Sequence, residues 1–361
     1  LPAIQLEYRP MRTLAYAALS AGTPLQPLAI DRRALRADDV AIDILYCGVC
    51  HSDLHQARND WGSARYPMVP GHEIIGRVSA VGPAVKGLKV GDAVGVGCMV
   101  DSCQDCDQCH HGEEQFCRHG VTMTYNGRDR VSGEITQGGY SRAMVVREAF
   151  AIALPPALDL ARAAPLLCAG ITSWSPLRRH GAGPGTRLGV IGLGGLGHMA
   201  VKLGVALGCE VTLVTGSAGK AEDARALGAH HVLVSRDAEA MKAATASMDL
   251  ILDTVPVSHD LKPYVKLLDV GGRLVIVGAL EEMPPLDAGL LVRGRKQVGG
   301  SLIGGIAETA ELLAFCAENG IYPDCEQIRM QDIDAAFERM ERADVKYRFV
   351  IDMRSLQETA G

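Results

Sequence analysis

Apolar and polar positions change their spacing twice along the chain. From Met11 to about Ala153, apolar residues come in short runs broken by turn signals. Asp39–Tyr46, Ile74–Val81 and Ala143–Val146 read as strands, and Gly82-Pro83 and Gly91-Asp92 as turns. This predicts an irregular, β-rich domain. From about Pro165 to Gly300 the pattern becomes one of apolar strands separated mostly by helical segments. The strands are Leu188–Ile191, Val211–Thr215, His231–Val234, Leu250–Asp253 and Leu274–Val277. The helices are His198–Leu207, Ala221–Leu227, Ala238–Ala246 and Asp260–Leu268. Such alternation predicts a parallel sheet with right-handed crossovers. The last part holds two helical stretches, Thr309–Glu318 and Asp332–Arg342, and one strand, Tyr347–Asp352. No repeat and no low-complexity linker interrupts this order.

Length and charge narrow the picture. A chain of 361 residues, 48% apolar and 22% charged, is globular and long enough for about two cores. Its net charge of −6 offers no basic excess for nucleic acid, and no Lys/Arg run marks a membrane patch. Aromatic residues are too scarce for a base-stacking surface. Glu7, Arg9 and Arg12 interrupt any apolar leader, and Leu1–Pro10 differ in character from the rest of the chain, so Met11 is read as the natural start. The most apolar long stretch, Leu188–Gly208, is Gly-rich and carries His198 and Lys202, which argues against a membrane span. The expected setting is cytoplasmic, where eleven cysteines do not form a disulfide framework and call for metal or chemistry instead.

Four of those cysteines have the pattern Cys103-x2-Cys106-x2-Cys109-x7-Cys117. Tetrahedral zinc needs four thiolates held close together, and short intervening loops cost little entropy to close. A redox pair would use two cysteines at a helix start beside a βαβ unit. The pattern predicts a structural zinc whose shell is filled by protein, so that it holds a loop and does no chemistry. Cys98 lies outside the spacing and is not counted as a ligand.

A second cluster combines Cys47, Cys50, His51, Ser52, Asp53 and His55 with His72 and Glu73. A catalytic zinc takes three protein ligands and leaves one position open. Spacing does not decide between Cys47 and Cys50. Cys168 is a candidate third ligand, although alone it reads equally as a small buried hydrophobe, and His72 as a core histidine.

The third motif is Gly192-Leu193-Gly194-Gly195-Leu196-Gly197. It comes after a predicted strand and opens a predicted helix, as a dinucleotide fingerprint requires. Gly192 permits the tight turn, Gly194 lets backbone approach a pyrophosphate, and Gly197 lets helix and strand pack closely. The next strand ends Thr215-Gly216-Ser217 and lacks the carboxylate that an NAD site places there. Thr215, Ser217 and Lys220 offer donors for a 2′-phosphate instead, which favours NADP.

With these motifs in place, the chain resembles the zinc-dependent medium-chain dehydrogenase/reductase family, in its cinnamyl alcohol dehydrogenase-type branch with its bacterial NADP-dependent aldehyde reductases. The resemblance rests on CGVCHSDLH at 47–55, YPMVPGHE at 66–73, the four-cysteine loop, APLLCAGIT at 164–172, GLGGLGH at 192–198 and DVKYRFVID at 344–352. It implies an α/β fold with a Rossmann parallel-sheet domain (161–303) inserted in a GroES-like β-rich catalytic domain (11–160 and 304–361). It implies two zinc ions per chain, the catalytic one on Cys50, His72 and Cys168 with Glu73 nearby. Asp53 would orient His72, and Ser52 and His55 would relay protons. NADP(H) would engage Thr172, Gly195, Leu196 and Arg348 besides the residues above.

The substrate pocket implied by the same resemblance contains Trp61, Cys98, Met123, Leu302 and Ile303. Plant members of the branch carry Trp where this chain has Met123, so an apolar pocket without dedicated cinnamyl recognition and of broad specificity is expected. The activity implied is hydride transfer between NADP(H) and primary alcohols or aldehydes. Alternatives are a polyol dehydrogenase of the same superfamily and a non-catalytic cofactor-binding protein. A homodimer joined through Val298–Ile303 is also implied.

Overall fold

A computed structural model describes residues 10–278 and 281–356 of the chain. The reading of Leu1–Pro10 as foreign to the rest falls, but for Pro10, outside the described residues. Strands in the first part are β1 (Met11–Ala17), β2 (Gln26–Arg32), β3 (Asp39–Val49), β4 (Ile74–Val81), β5 (Ala93–Val96), β6 (Met99–Asp101), β7 (Thr122–Met123), β8 (Ala143–Arg147) and β9 (Ile152–Ala153). Then come β10 (Arg187–Ile191), β11 (Glu210–Thr215), β12 (His231–Val234), β13 (Met248–Asp253), β14 (Leu268–Ile276) and β15 (Gln297–Gly300). The C-terminal part adds β16 (Cys325–Arg329) and β17 (Arg348–Asp352). Contacts divide the chain into one unit of 1–168 with 305–361 and a second unit of 169–304. Residues 161–168, which the resemblance assigned to the Rossmann domain, fall by their contacts in the first unit.

The first unit is organised around β3. Its residues are mostly buried from end to end, because it is paired along both edges. β4 runs antiparallel along one edge. β8 occupies the first half of the other edge and β17 the second half. The sheet order is β16-β17-β3-β4-β5-β9. The register places Phe349 of β17 opposite Val49, the last residue of β3. A strand from the C-terminus thus brackets the start of the Cys50 segment, and Arg348 comes with it.

The second unit is a six-stranded parallel sheet in the order β12-β11-β10-β13-β14-β15. Val190, Leu213, Ile251, Leu252 and Leu274 are fully buried, which is why these strands read as continuous apolar runs and not as alternating ones. Strand order reverses between β10 and β13, the switch point at which open α/β sheets bind ligands beyond the strands' carboxyl ends.

Two departures from the sequence reading have local causes. The helix expected over 260–268 runs only Lys262–Leu267, since the Asp260 side chain accepts from Lys262 N and Pro263 sits in the first turn. Chain beyond it joins β14 early, so that strand begins at Leu268. The helix Ala169–Arg179 gave no signal, because Ala169–Leu177 are all buried and leave no polar face to reveal a period.

Candidate active site

His51–Arg58 forms a helix directly after β3, with Cys50 at its N-cap. The Asp53 carboxylate, fully buried, accepts from Cys50 N (2.9 Å) and so closes the first turn. It also accepts from Gly71 N (3.0 Å) and the Tyr140 hydroxyl (3.2 Å), and pairs with His72 Nδ1 (3.1 Å). One side chain thereby ties the helix to the Gly71-His72 turn and fixes the imidazole with Nε2 pointing the other way. Gly71 has φ +100°, a conformation that a side chain resists, and a Cβ there would press on Tyr140 and Cys47.

His72 Nε2 lies 3.3 Å from Cys168 Sγ, and Cys168 Sγ lies 4.0 Å from Cys50 Sγ. Ligand atoms of Cys50, His72, Glu73 and Cys168 all fall within 4.8 Å of one another. Zinc–sulfur bonds of about 2.3 Å at tetrahedral angles separate sulfurs by about 3.8 Å, so this donor set fits a zinc ion. Cys47 takes no part. It is fully buried in β3, its thiol faces the Gly48 carbonyl (3.6 Å), and burial pushes its pKa well up.

Glu73 is also fully buried and pairs with Arg348. Its Oε2 has no hydrogen-bond partner, which leaves room for attraction to a cation beside it. Burial pushes this carboxyl up to about 7, against the pull of the Arg348 guanidinium. A Cβ on Gly48 would overlap the Glu73 carboxylate, so glycine in Cys47-Gly48-Val49-Cys50 makes space for that acid. Arg348, expected to hold cofactor, is thus placed on Glu73.

Ser52 Oγ lies 3.7 Å from Cys50 Sγ. His55 Nδ1 is 2.8 Å from the Asp60 carboxylate, and its ring lies 5.5 Å from that of Trp61. Among the remaining pocket candidates, Trp61, Met123 and Leu302 are exposed, while Ile303 is buried. Cys98 is buried with its thiol 3.8 Å from the Leu167 carbonyl, and it interacts with the Cys168 thiol. Sequence reasoning missed Tyr140 and Asp60. Tyr140 carries no motif, whereas Asp60, five residues after His55, could have been sought as its partner.

Cys103, Cys106, Cys109 and Cys117 form a second group with sulfurs within 4.8 Å of one another. Sulfur–sulfur separations of 3.6 Å (Cys106–Cys109) and 3.9 Å (Cys103–Cys109) match the tetrahedral spacing. Backbone N–H groups of Asp105, Arg118 and Cys103 point at Cys103, Cys106 and Cys117 Sγ respectively. Such donors stabilise thiolates, and the Arg118 N–H leads in holding the Cys106 thiol down at about 6.

In the parallel sheet, Gly192 follows β10 with φ +91°, and a Cβ on Gly197 would overlap the Gly192 carbonyl. Gly194 differs: a Cβ there would meet nothing within 4 Å. No neighbour in the chain demands glycine at this exposed position, but a pyrophosphate approaching the backbone would. Gly195 and Leu196 lead into the helix Gly197–Ala206, whose N-terminus offers its partial positive charge to an anion. Thr172 is buried in the helix Ala169–Arg179. Thr215 is buried and its Oγ1 accepts from Ser217 N (3.3 Å), Ser217 is exposed, and Lys220 Nζ donates to the Leu193 carbonyl (3.1 Å).

Comparison with known proteins agrees with this geometry. Residues 36–156 match the alcohol dehydrogenase GroES-like domain, and residues 195–318 match the zinc-binding dehydrogenase family. The chain is 50% identical over 344 residues to NADP-dependent alcohol dehydrogenase C of Mycobacterium tuberculosis, covering 95% of this chain and 99% of that protein. It is 50% identical over 349 residues to aldehyde reductase YahK of Escherichia coli, covering 96% and 99%. A cinnamyl alcohol dehydrogenase structure from Sorghum bicolor superposes with a TM-score of 0.93 at 43% identity, covering 97% of this chain and all of that one. With its two cysteine-bearing metal groups, its glycine-rich turn and these likenesses, this chain belongs to the zinc-binding alcohol dehydrogenase family.

Proposed function

We propose that the protein is a zinc-dependent alcohol dehydrogenase and aldehyde reductase that exchanges a hydride between NADP(H) and primary alcohols or aldehydes of broad range. The observation that carries this reading is the convergence of Cys50, His72 and Cys168 with Asp53 behind His72. When bound, zinc supplies Lewis acidity toward the substrate oxygen, and the nicotinamide supplies or takes the hydride.

This chain's residues do the rest. Asp53 accepts the His72 Nδ1 proton and keeps Nε2 available as a ligand atom. Glu73 and Arg348 place a paired charge in the buried layer beside it. Ser52 is the inner proton station and His55 the outer one. Asp60 accepts from His55 Nδ1, which leaves Nε2 as the proton-accepting nitrogen. The four-cysteine group holds a second, structural zinc.

The test is NADPH oxidation over a panel of aldehydes and polyols, together with metal analysis. Two zinc ions per chain and turnover of aldehydes are expected. Faster turnover of polyols would move the assignment to a polyol dehydrogenase. Cofactor binding with no turnover would make the protein a non-catalytic binder.

Preference for NADPH over NADH should reverse at Ser217. Ser217→Asp puts a carboxylate where the 2′-phosphate binds and gives free ribose hydroxyls an acceptor. A charge-assisted contact is worth about 1.5–3 kcal/mol, so the ratio of the two kcat/KM values should move by about ten- to a hundredfold. An unmodified enzyme that uses both cofactors equally would refute this reading of the β11 end.

We also infer a cytoplasmic homodimer. β15 is one of the two edge strands of the parallel sheet, with Gln297, Gly299 and Gly300 exposed, and pairing with a second copy would cover that edge. Among the described residues no helix is long and apolar enough to cross a membrane. Light scattering should give twice the chain mass, and a monomer at working concentration would refute the dimer.

A further inference from the structure

The nucleotide end of the parallel sheet carries a cation that the strand-end motif does not contain. β11 and β12 are parallel neighbours, with Thr215 opposite Val234. The pairing continues one step further, where Ser235 N donates to the Thr215 carbonyl at 2.8 Å. Beyond that point Gly216-Ser217 and Ser235-Arg236 run side by side. A Cβ built on Gly216 would lie 3.9 Å from Arg236 Nε and 3.9 Å from Ser235 Oγ. The Arg236 side chain therefore lies along the face that Gly216 leaves bare.

Arg236 is exposed, and among the described residues it has no ion-pair partner. The adjacent Asp237 does not serve as one, since its carboxylate accepts from Glu239 N (3.1 Å) and Ala240 N (3.0 Å). Lys220, the cation that the sequence offered for this role, donates instead to the Leu193 carbonyl in the glycine-rich turn. Lys220 thus braces the turn, while Arg236 is the unpaired cation beside Ser217.

We propose that Arg236 is a specificity-determining residue for the cofactor, donating to the 2′-phosphate of NADP(H) with Ser217 beside it. The chemistry suits the position. A guanidinium presents planar paired donors that match phosphate oxygens, and it carries its charge at every working pH. This inference rests on the NADP reading of the site.

The experiment measures binding, with no turnover involved. The zinc-loaded enzyme, R236Q and R236K are titrated calorimetrically with adenosine 2′,5′-bisphosphate and with 5′-AMP. Wild type should prefer the bisphosphate. R236Q should weaken bisphosphate binding by about tenfold and leave 5′-AMP within about twofold, and R236K should retain part of the preference. Raising the salt should weaken bisphosphate binding more in wild type than in R236Q, because the variant has lost an ionic contact. Unchanged bisphosphate affinity in R236Q, or equal loss of both ligands, overturns the assignment of Arg236. A wild type that does not distinguish the two ligands overturns the NADP reading itself.

Discussion

Cys168→Ser should lower kcat/KM for aldehyde reduction by about three orders of magnitude or more, while the fold survives. Cys168 Sγ sits between His72 Nε2 at 3.3 Å and Cys50 Sγ at 4.0 Å, so it is the shared corner of the donor set. A serine hydroxyl at neutral pH is a weak zinc ligand, and two remaining protein ligands do not hold the ion well. Loss of Lewis acidity removes several kcal/mol of transition-state stabilisation, and each ~1.4 kcal/mol is a factor of ten. Oxygen for sulfur is a small change in volume at a buried position, so melting temperature should move by only a few degrees. Metal analysis should fall from two zinc ions per chain to one. Full activity with one zinc, or full zinc in the variant, would refute this assignment of the donor set.

Cys106→Ser should have the opposite profile, with its large effect on stability. The four-cysteine segment has almost no apolar core of its own. The helix Asp107–His110 buries none of its residues, and Phe116 is 45% exposed. Metal–thiolate bonds replace the missing core, and in isolated zinc modules such bonds are worth about 10–16 kcal/mol of folding free energy. The damage should spread beyond the loop. Glu114, between Cys109 and Cys117, accepts from the backbone N–H of Ile306 (3.0 Å) at the start of the helix Ile306–Asn319. A lower melting temperature, by about 5 °C or more, and rapid proteolytic cleavage between residues 103 and 117 are the expected results. A variant with unchanged stability and protease resistance would show that the thiols do not hold a structural ion.

Patterns that close over short distances were legible in the chain itself. Thiols spaced Cys-x2-Cys-x2-Cys-x7-Cys can hardly avoid meeting, because each intervening loop is short and costs little to close. Strands β10, β11 and β13 announced themselves because burial on both faces demands continuous apolar residues, whereas β12, an edge strand with His231 exposed, was readable from the short apolar run Val232–Val234. Gly192, Gly194 and Gly197 were readable because each answers a local need for positive φ, open backbone or close packing. The edge strands β15 and β16 gave no such signal, since their exposed positions interrupt any apolar run. The hairpin of β1 and β2 was equally silent.

Spacing left open which cysteine belongs to the mixed cluster; the family resemblance named Cys50, and the tertiary structure supplies the physical reason. Cys47 and Cys50 are equivalent by spacing, and only the end of β3 at Val49 separates them. Cys47 stays inside the sheet, and Cys50 begins a helix that turns its thiol toward Cys168. Arg348 reaches Glu73 because β17 returns from the far end of the chain to pair with β3. Arg236 reaches Gly216 because two parallel strands end side by side. In each case the partners are separated by a run of chain whose path the intervening residues do not encode locally. Their encounter is set by strand order and register, which result from how the whole apolar surface is buried at once.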